Sequence, residues 1–226
     1  MDRAGGRWMN LDASSHYEAH LRHAYAHLVA DDILGPVVER VGPCALRPAW
    51  DREPFESLVR AIAFQQLHGK AANAILGRFI ALFDPPFPTP AQILALDDNV
   101  GRACGFSASK IAAIRDIAEK AAAGLVPSRA EAEAMADEDL IGRLITIRGV
   151  GQWTVEMMLI STLGRLDVWP TDDFGVKNSL KRLYQLDAMP RKAWMVEIAR
   201  PWRPYRSMVS WYLWRMADIA TMADSP

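Results

Sequence analysis

The chain is 226 residues long, half of them hydrophobic, and its 26 Lys/Arg against 27 Asp/Glu leave a formal net charge of −1. That length can bury a substantial core as one domain or two small lobes, while no run approaches the roughly 18 apolar residues of a membrane span and no charged-then-apolar leader is evident. A cytoplasmic, soluble protein is expected, and its two cysteines, Cys44 and Cys104, are too few for a four-thiolate iron–sulfur cluster and are expected to stay reduced.

Residues 1–10 read as a frayed start. From Ser14 or Ser15 as N-cap, Tyr17, Leu21, Ala24, Tyr25 and Leu28 recur at helical spacing. His16, His20, His23 and His27 run beside that stripe, either as a polar flank or as imidazoles gathered for a metal, although no carboxylate or cysteine completes a ligand set. Residues 37–54 form an irregular connector with room for a short helix. Phe55, Leu58, Val59, Ile62 and Ala63 mark a second amphipathic helix that runs into Phe64-Gln65-Gln66-Leu67-His68-Gly69. A third carries Ala72, Ile75, Leu76, Phe79 and Phe83 until Asp84-Pro85-Pro86-Phe87-Pro88 breaks it.

Thr89 as N-cap with Pro90 behind it opens a short helix, and another reaches Cys104 and Gly105. A longer helix spans about 107–123 and closes at Gly124. Ser128 with Glu131 is a capping-box pattern, and Asp137 is expected to cap the helix leading into a tight turn at Arg148-Gly149-Val150-Gly151. The next helix carries Trp153, Val155, Met158, Leu159 and Thr162 to a stop at Gly164. A loop ending in Asp172-Asp173 follows, then helices over about 174–184, 190–200 and 204–221. With no strand pattern and no internal repeat, the fold class is all-α, of about ten helices.

The charges are unevenly placed. Between Arg143 and Arg215, twelve Lys/Arg stand against six Asp/Glu, while the remainder holds fourteen against twenty-one. A basic surplus of that kind suits contact with phosphate. Within it, two glycines flanking Val150 let the backbone turn sharply and leave bare N–H groups at a helix N-terminus, an arrangement able to hold a phosphate.

Ile147-Arg148-Gly149-Val150-Gly151-Gln152-Trp153-Thr154, followed about twenty residues later by Pro170-Thr171-Asp172-Asp173, resembles the signature of the helix-hairpin-helix DNA glycosylase superfamily. Within it the chain is most similar to the bacterial 3-methyladenine glycosylase II group, and the likeness runs roughly from His16 to Ala220. The resemblance implies two helical lobes flanking a cleft. One comprises about residues 55–140; the other comprises about 14–54 plus 141–222 and carries the hairpin and the catalytic aspartate. The β-rich N-terminal domain of some relatives is not expected. It also implies a monomer acting in base excision repair on double-stranded DNA that contains alkylated bases, in a bacterial cytoplasm beside the nucleoid.

On that resemblance Asp173 is the catalytic carboxylate, placed to stabilise the oxocarbenium character that develops as an N-glycosidic bond breaks, or to activate water. Taken without the resemblance, Asp172 and Asp173 are a helix N-cap and a first-turn acid, and Asp172 keeps the N-cap role. Relatives that cleave the strand carry a lysine just before the hairpin threonine; Trp153 stands there instead, which implies a monofunctional enzyme that leaves an abasic site. A purine alkylated at N3 or N7 is positively charged and is drawn to an electron-rich ring. By resemblance Trp153 and Trp211 are the pocket aromatics, and Trp202 and Trp214 are read as packing residues.

Leu67 aligns with the wedge that fills the gap left by a flipped base, the alternative being an ordinary core leucine. Gln65 and Gln66 hold the turn or the DNA backbone, and His68 either probes the opposite base or is an exposed turn residue. The N–H groups of Gly149 and Gly151, supported by Thr154, are expected at a phosphate. The backbone carbonyls of Ile145, Ile147 and Val150 are expected, by the same resemblance, to hold Na+ or K+. No catalytic cofactor is expected. Two other readings stay open: a glycosylase for another lesion, such as an etheno adduct or deaminated base, and a noncatalytic hairpin protein that only grips DNA.

Overall fold

The structure, a computed structural model, describes residues 5–67, 69–84 and 87–223, with side chains from residue 15 to residue 216 of these. The described residues form thirteen helices and no strand, so the fold is all-α. None of these helices is long and apolar enough to cross a membrane. They gather into two compact units, a contiguous one, Arg52–Met158, and a discontinuous one that joins Met1–Asp51 to Leu159–Pro226.

In the contiguous unit, α3 (Pro54–Phe64), α4 (Gly69–Ile80), α5 (Pro90–Ala95), α6 (Asp98–Ala103) and α7 (Ala108–Ala122) precede α8 (Arg129–Ala134) and α9 (Asp137–Leu144). The centre is α7, which packs against α3, α5 and α6 and buries Ile111, Ile114 and Ile117. Each such isoleucine contributes about 1.5–3 kcal/mol relative to an exposed one. Helix starts follow local sequence: Thr89 with Gln92 and Ser128 with Glu131 both form reciprocal capping boxes, and Ser107 accepts the Lys110 N–H. At α9 the N-cap is Ala136, and Asp137, Glu138 and Asp139 all occupy the first turn, where they complement the helix dipole instead of capping it. The proline-rich break after α4 includes Pro85 and Pro86, which lie outside the described residues.

The hairpin formed by α9, the turn at 148–151 and the start of α10 (Gln152–Ser161) belongs to this contiguous unit, and the division falls inside α10 instead of near residue 141. Its ties explain the shift. Gln65 Nε2 donates to the Gly149 carbonyl at 3.0 Å, the Arg148 N–H donates to Asp116 Oδ2 at 2.8 Å, and the Arg143 guanidinium donates to the carbonyls of Leu125 and Gly124. These bonds fasten the hairpin to α3, to α7 and to the end of α7.

In the discontinuous unit, α13 (Arg206–Ala223) packs on α11 (Phe174–Leu183), α2 (Gly35–Val41) and α1 (Gly5–Leu28), with α12 (Lys192–Ile198) completing the set. Leu28, Leu34, Leu180, Met208, Tyr212 and Leu213 are among the buried side chains of its core. Trp202 is a core residue: its ring meets Trp169 edge-on at 5.4 Å and its Nε1 donates to Asp31 Oδ2 at 2.9 Å. Helix α1 starts upstream of Ser14 and Ser15, because serine costs a helix interior only a few tenths of a kcal/mol and does not stop it. Of the stretch read as frayed, residues 5–10 are helical and 1–4 lie outside the described residues. After α10, Gly164 turns the chain at φ 66°, and a Cβ there would lie 2.5 Å from the Trp50 ring. Both cysteines are free, and burial pushes the Cys44 thiol up to about 11, which makes it inert.

Candidate active site

The loop between α10 and α11 is pinned to the start of α13. Ser207 Oγ donates to the Arg165 carbonyl at 2.6 Å and accepts the Val168 N–H at 3.0 Å, while the Ser207 N–H reaches the Leu166 carbonyl at 3.0 Å. The Arg206 guanidinium forks onto both Asp167 carboxylate oxygens at 2.6 and 2.9 Å. Trp169 Nε1 donates to the Met195 carbonyl at 3.0 Å. From this anchored loop a turn closes with the Asp173 N–H on the Pro170 carbonyl at 3.0 Å, and α11 begins.

Asp173 is the N-cap of α11. Its Oδ1 accepts the Val176 N–H at 2.7 Å, and the residue is only 8% exposed. The expectation that Asp172 caps the helix is corrected: a cap side chain must reach the third helical N–H, and helix start Phe174 gives that reach to Asp173. Asp172 is exposed and pairs with Lys177 at 3.2 Å. A second donor meets the same carboxylate oxygen, for Trp214 Nε1 lies 3.0 Å from Asp173 Oδ1.

The indole that reaches the aspartate is thus Trp214, a residue the sequence suggested only for packing. Trp211 is half-buried, meets Tyr212 edge-on at 5.1 Å and has the Arg215 guanidinium over its ring at 5.9 Å. Phe174, directly after Asp173, is 71% exposed, an aromatic left in solvent beside a buried carboxylate. Sequence reasoning singled out neither Trp214 for this role nor Phe174. Gly175 within the first turn of α11 is the one local signal, since it leaves space for a ring to approach.

In the contiguous unit, the end of α3 and the hairpin are joined. Lys110 Nζ donates to the carbonyls of Ala63 and Gln65, both at 2.8 Å, and Gln65 carries the link on to Gly149. Gln66 adopts φ 55°, a left-handed conformation that costs a non-glycine residue about 1–3 kcal/mol and gathers at functional sites. Leu67 follows with 39% of its surface exposed, so it is not a core leucine. His68 lies outside the described residues.

The hairpin turn closes with the Val150 N–H on the Ile147 carbonyl at 3.1 Å, and Gly149 at φ 76° occupies the position that demands a positive φ. The Gly151 carbonyl accepts the N–H groups of Thr154 and Val155 as α10 opens. A Cβ on Gly151 would meet nothing within 4 Å, so this backbone is open to an approaching group. Thr154 differs from its expected role as a phosphate donor: it is 3% exposed and its N–H bonds to Gly151. Trp153, one residue before it, is 40% exposed. Ile145 is exposed, whereas the side chains of Ile147 and Val150 are buried, and the Ile147 carbonyl keeps a second lone pair beyond its bond to Val150.

On α1, His16 and His20 meet with their Nε2 atoms 3.2 Å apart, and His27 Nε2 is bonded to the Pro201 carbonyl at 2.8 Å. Among the described residues no group of three or more metal-binding side chains forms.

Residues 59–204 match the model of the HhH-GPD superfamily base excision DNA repair proteins. The chain belongs to that superfamily. Among its HhH-GPD relatives, DNA-3-methyladenine glycosylase 1 of Schizosaccharomyces pombe is 45% identical over 170 residues, covering 75% of each chain. The solved structure of Schizosaccharomyces pombe 3-methyladenine DNA glycosylase (Mag1) in complex with abasic DNA matches with a TM-score of 0.81 at 42% identity, over 88% of this chain and 98% of that one. A DNA-3-methyladenine glycosidase structure from Bacillus halodurans gives a TM-score of 0.76 at 32% identity, over 88% and 91% of the two chains. In this HhH-GPD protein the carboxylate with its two N–H donors belongs to the discontinuous unit. The turn bearing Leu67 and the glycine hairpin belong to the contiguous one.

Proposed function

We propose that the chain is a monofunctional DNA glycosylase of base excision repair. On this reading it hydrolyses the N-glycosidic bond of N3- and N7-alkylated purines, of the 3-methyladenine and 7-methylguanine type, in double-stranded DNA and leaves an abasic site. The observation that carries this reading is the Asp173 carboxylate, buried at a helix start and held by two N–H donors on one oxygen. Its charge stabilises the positive sugar as the bond to the base breaks and orients water toward the anomeric carbon. A purine already carrying positive charge is a ready leaving group, so electrostatic help at the sugar suffices without strong acid catalysis at the base.

The remaining residues take positioning roles. Trp153 offers an exposed aromatic face on which a cationic base stacks. Leu67 enters the base stack when the lesion is extruded. Gly149 and Gly151 present backbone N–H groups to a phosphate, and the basic surplus of the 143–215 stretch supports that contact. Trp211, half-buried with the Arg215 guanidinium over its ring at 5.9 Å, keeps its role as the second aromatic for the base. The carbonyls of Ile145, Ile147 and Val150 are oxygen donors of the kind a hard cation such as Na+ or K+ takes, and such an ion would stiffen the turn without entering the reaction. With tryptophan and not lysine at position 153, that position has no amine to form a Schiff base, so the strand stays intact.

The test is release of free base from methylated duplex DNA by wild type and Asp173→Asn, with abasic sites scored before and after alkali. Wild type releases 3-methyladenine and 7-methylguanine, Asp173→Asn is at least about 100-fold slower, and strand breaks form only after alkali. Breaks without alkali would overturn the role given to Trp153. Release of only etheno or deaminated bases from a panel of defined duplexes would move the substrate to another lesion, and DNA binding with no release of any base would leave the hairpin as a grip alone.

A further inference from the structure

We infer that Trp214 and Gly175 together aim the Asp173 carboxylate, setting the rate of base release and not the grip on DNA. The inference rests on the reading of Asp173 as the reacting carboxylate. An N-cap needs one bond, from its side chain to the third helical N–H, and the Val176 N–H supplies it at 2.7 Å. The Trp214 N–H, arriving on the same oxygen from α13 at 3.0 Å, is a bond that capping does not require, and it narrows the directions in which the second oxygen points.

Gly175 is the counterpart of this bond. Its φ lies outside the left-handed range, so backbone freedom does not account for a glycine in a first helical turn, where it costs about 0.5–1 kcal/mol relative to alanine. Space does. A Cβ at 175 would lie 3.2 Å from Asp173 Oδ1 and 3.2 Å from Trp214 Cδ1, wedged between the carboxylate and the ring that donates to it. The bare backbone lets the indole lie close enough for its N–H to reach the oxygen.

The ring itself is held in place. Ser179 Oγ on α11 donates to the carbonyl of Leu213 on α13 at 2.7 Å, one residue before Trp214, so the two helices are locked at this level. The loop leading to Asp173 is fastened to the other end of α13 through Arg206 and Ser207. One helix therefore references both the aspartate and its donor. In a reaction whose catalytic group acts on a developing charge, a displacement of about 1 Å costs roughly 100-fold in rate.

The experiment measures single-turnover release from methylated duplex DNA, the dissociation constant for a duplex holding an abasic-site analogue, and the thermal midpoint. The variants are Trp214→Phe, Gly175→Ala, the double variant and Asp173→Asn. Trp214→Phe keeps a ring and removes the N–H; Gly175→Ala keeps the N–H and forces the pair apart. Each is expected to slow release roughly 10- to 100-fold with DNA affinity unchanged. The double variant is expected to be slowed by less than the product of the two, because the smaller phenyl ring leaves room for the Cβ. Wild-type rates in both single variants, with Asp173→Asn inactive, would overturn the aiming role while leaving the active-site reading intact. A parallel loss of DNA affinity would make Trp214 a base-stacking or structural residue and also overturn it. Asp173→Asn at the wild-type rate would remove the reading on which the inference stands.

Discussion

Gly149 and Gly151 stand two residues apart and are glycines for different reasons. At Gly149 the backbone sits at φ 76°, and a Cβ would press on Ala113 Cβ at 3.1 Å and Ile62 Cδ1 at 3.3 Å. Gly149→Ala is expected to destabilise the fold by about 1–3 kcal/mol, from left-handed strain plus a tight contact. Gly151→Ala faces open space, so its stability cost is at most about 1 kcal/mol, that of a poorer N-cap. It is expected to weaken DNA binding instead, since the new methyl group stands where a phosphate would come. Urea unfolding and binding to an abasic-site duplex check the contrast; equal effects of both variants on both readouts would overturn it. The sequence pattern marks both glycines but does not separate their roles, because only the packed structure shows which one has neighbours. Of the Asp172-Asp173 pair, the local pattern marks a carboxylate at the helix start but not which of the two caps it, because they stand side by side. Trp214 was not legible, since its bond to Asp173 spans two helices and nothing in the local spacing distinguishes it from Trp211.

Among the elements, the C-terminal end of α3 is tied down by one side chain from α7. Lys110 Nζ bonds to both the Ala63 and Gln65 carbonyls, and burial holds its pKa below the usual lysine value. Lys110→Met fills the space but leaves those carbonyls without their donor, at an expected cost of about 1–3 kcal/mol. The same change loosens the turn that presents Leu67. Hydrogen exchange across residues 64–67 is expected to speed up and affinity for damaged duplex to fall; unchanged exchange there would show that Gln65 and Gly149 hold the turn alone. Helix starts at Thr89, Ser107 and Ser128 were legible because a cap and its partner lie within four residues of each other. The start of α9 was not, as Asp137-Glu138-Asp139 offers three acids to one helix end. The membership of the hairpin in the contiguous unit depended on Gln65, Asp116 and Arg148, residues whose pairing no periodicity announces.

For the molecule as a whole, the all-α class was legible because helical spacing is a local property. Stability against pH is not local. Burial, then the nearby His16 and His23, lower the pKa of His20, so the folded chain favours its neutral ring. The unfolded chain takes up the proton near the ordinary value of about 6.5 and binds more protons than the folded one below it. Stability is therefore expected to rise with pH through this range and to be lost as pH falls. The thermal midpoint should drop between about pH 7.5 and 5.5, with a shallower drop in His20→Gln; identical slopes would assign the dependence to other groups.

The split of one unit into Met1–Asp51 and Leu159–Pro226 also sets a timetable. On the ribosome, at about 5–20 residues per second, the first segment waits roughly 5–20 s while the intervening stretch is made. Through that interval Tyr17, Leu21, Leu28 and Leu34 have no helix α13 to cover them, whereas Arg52–Met158 is made in one uninterrupted run. The hairpin is thus complete in sequence before Trp214 is made.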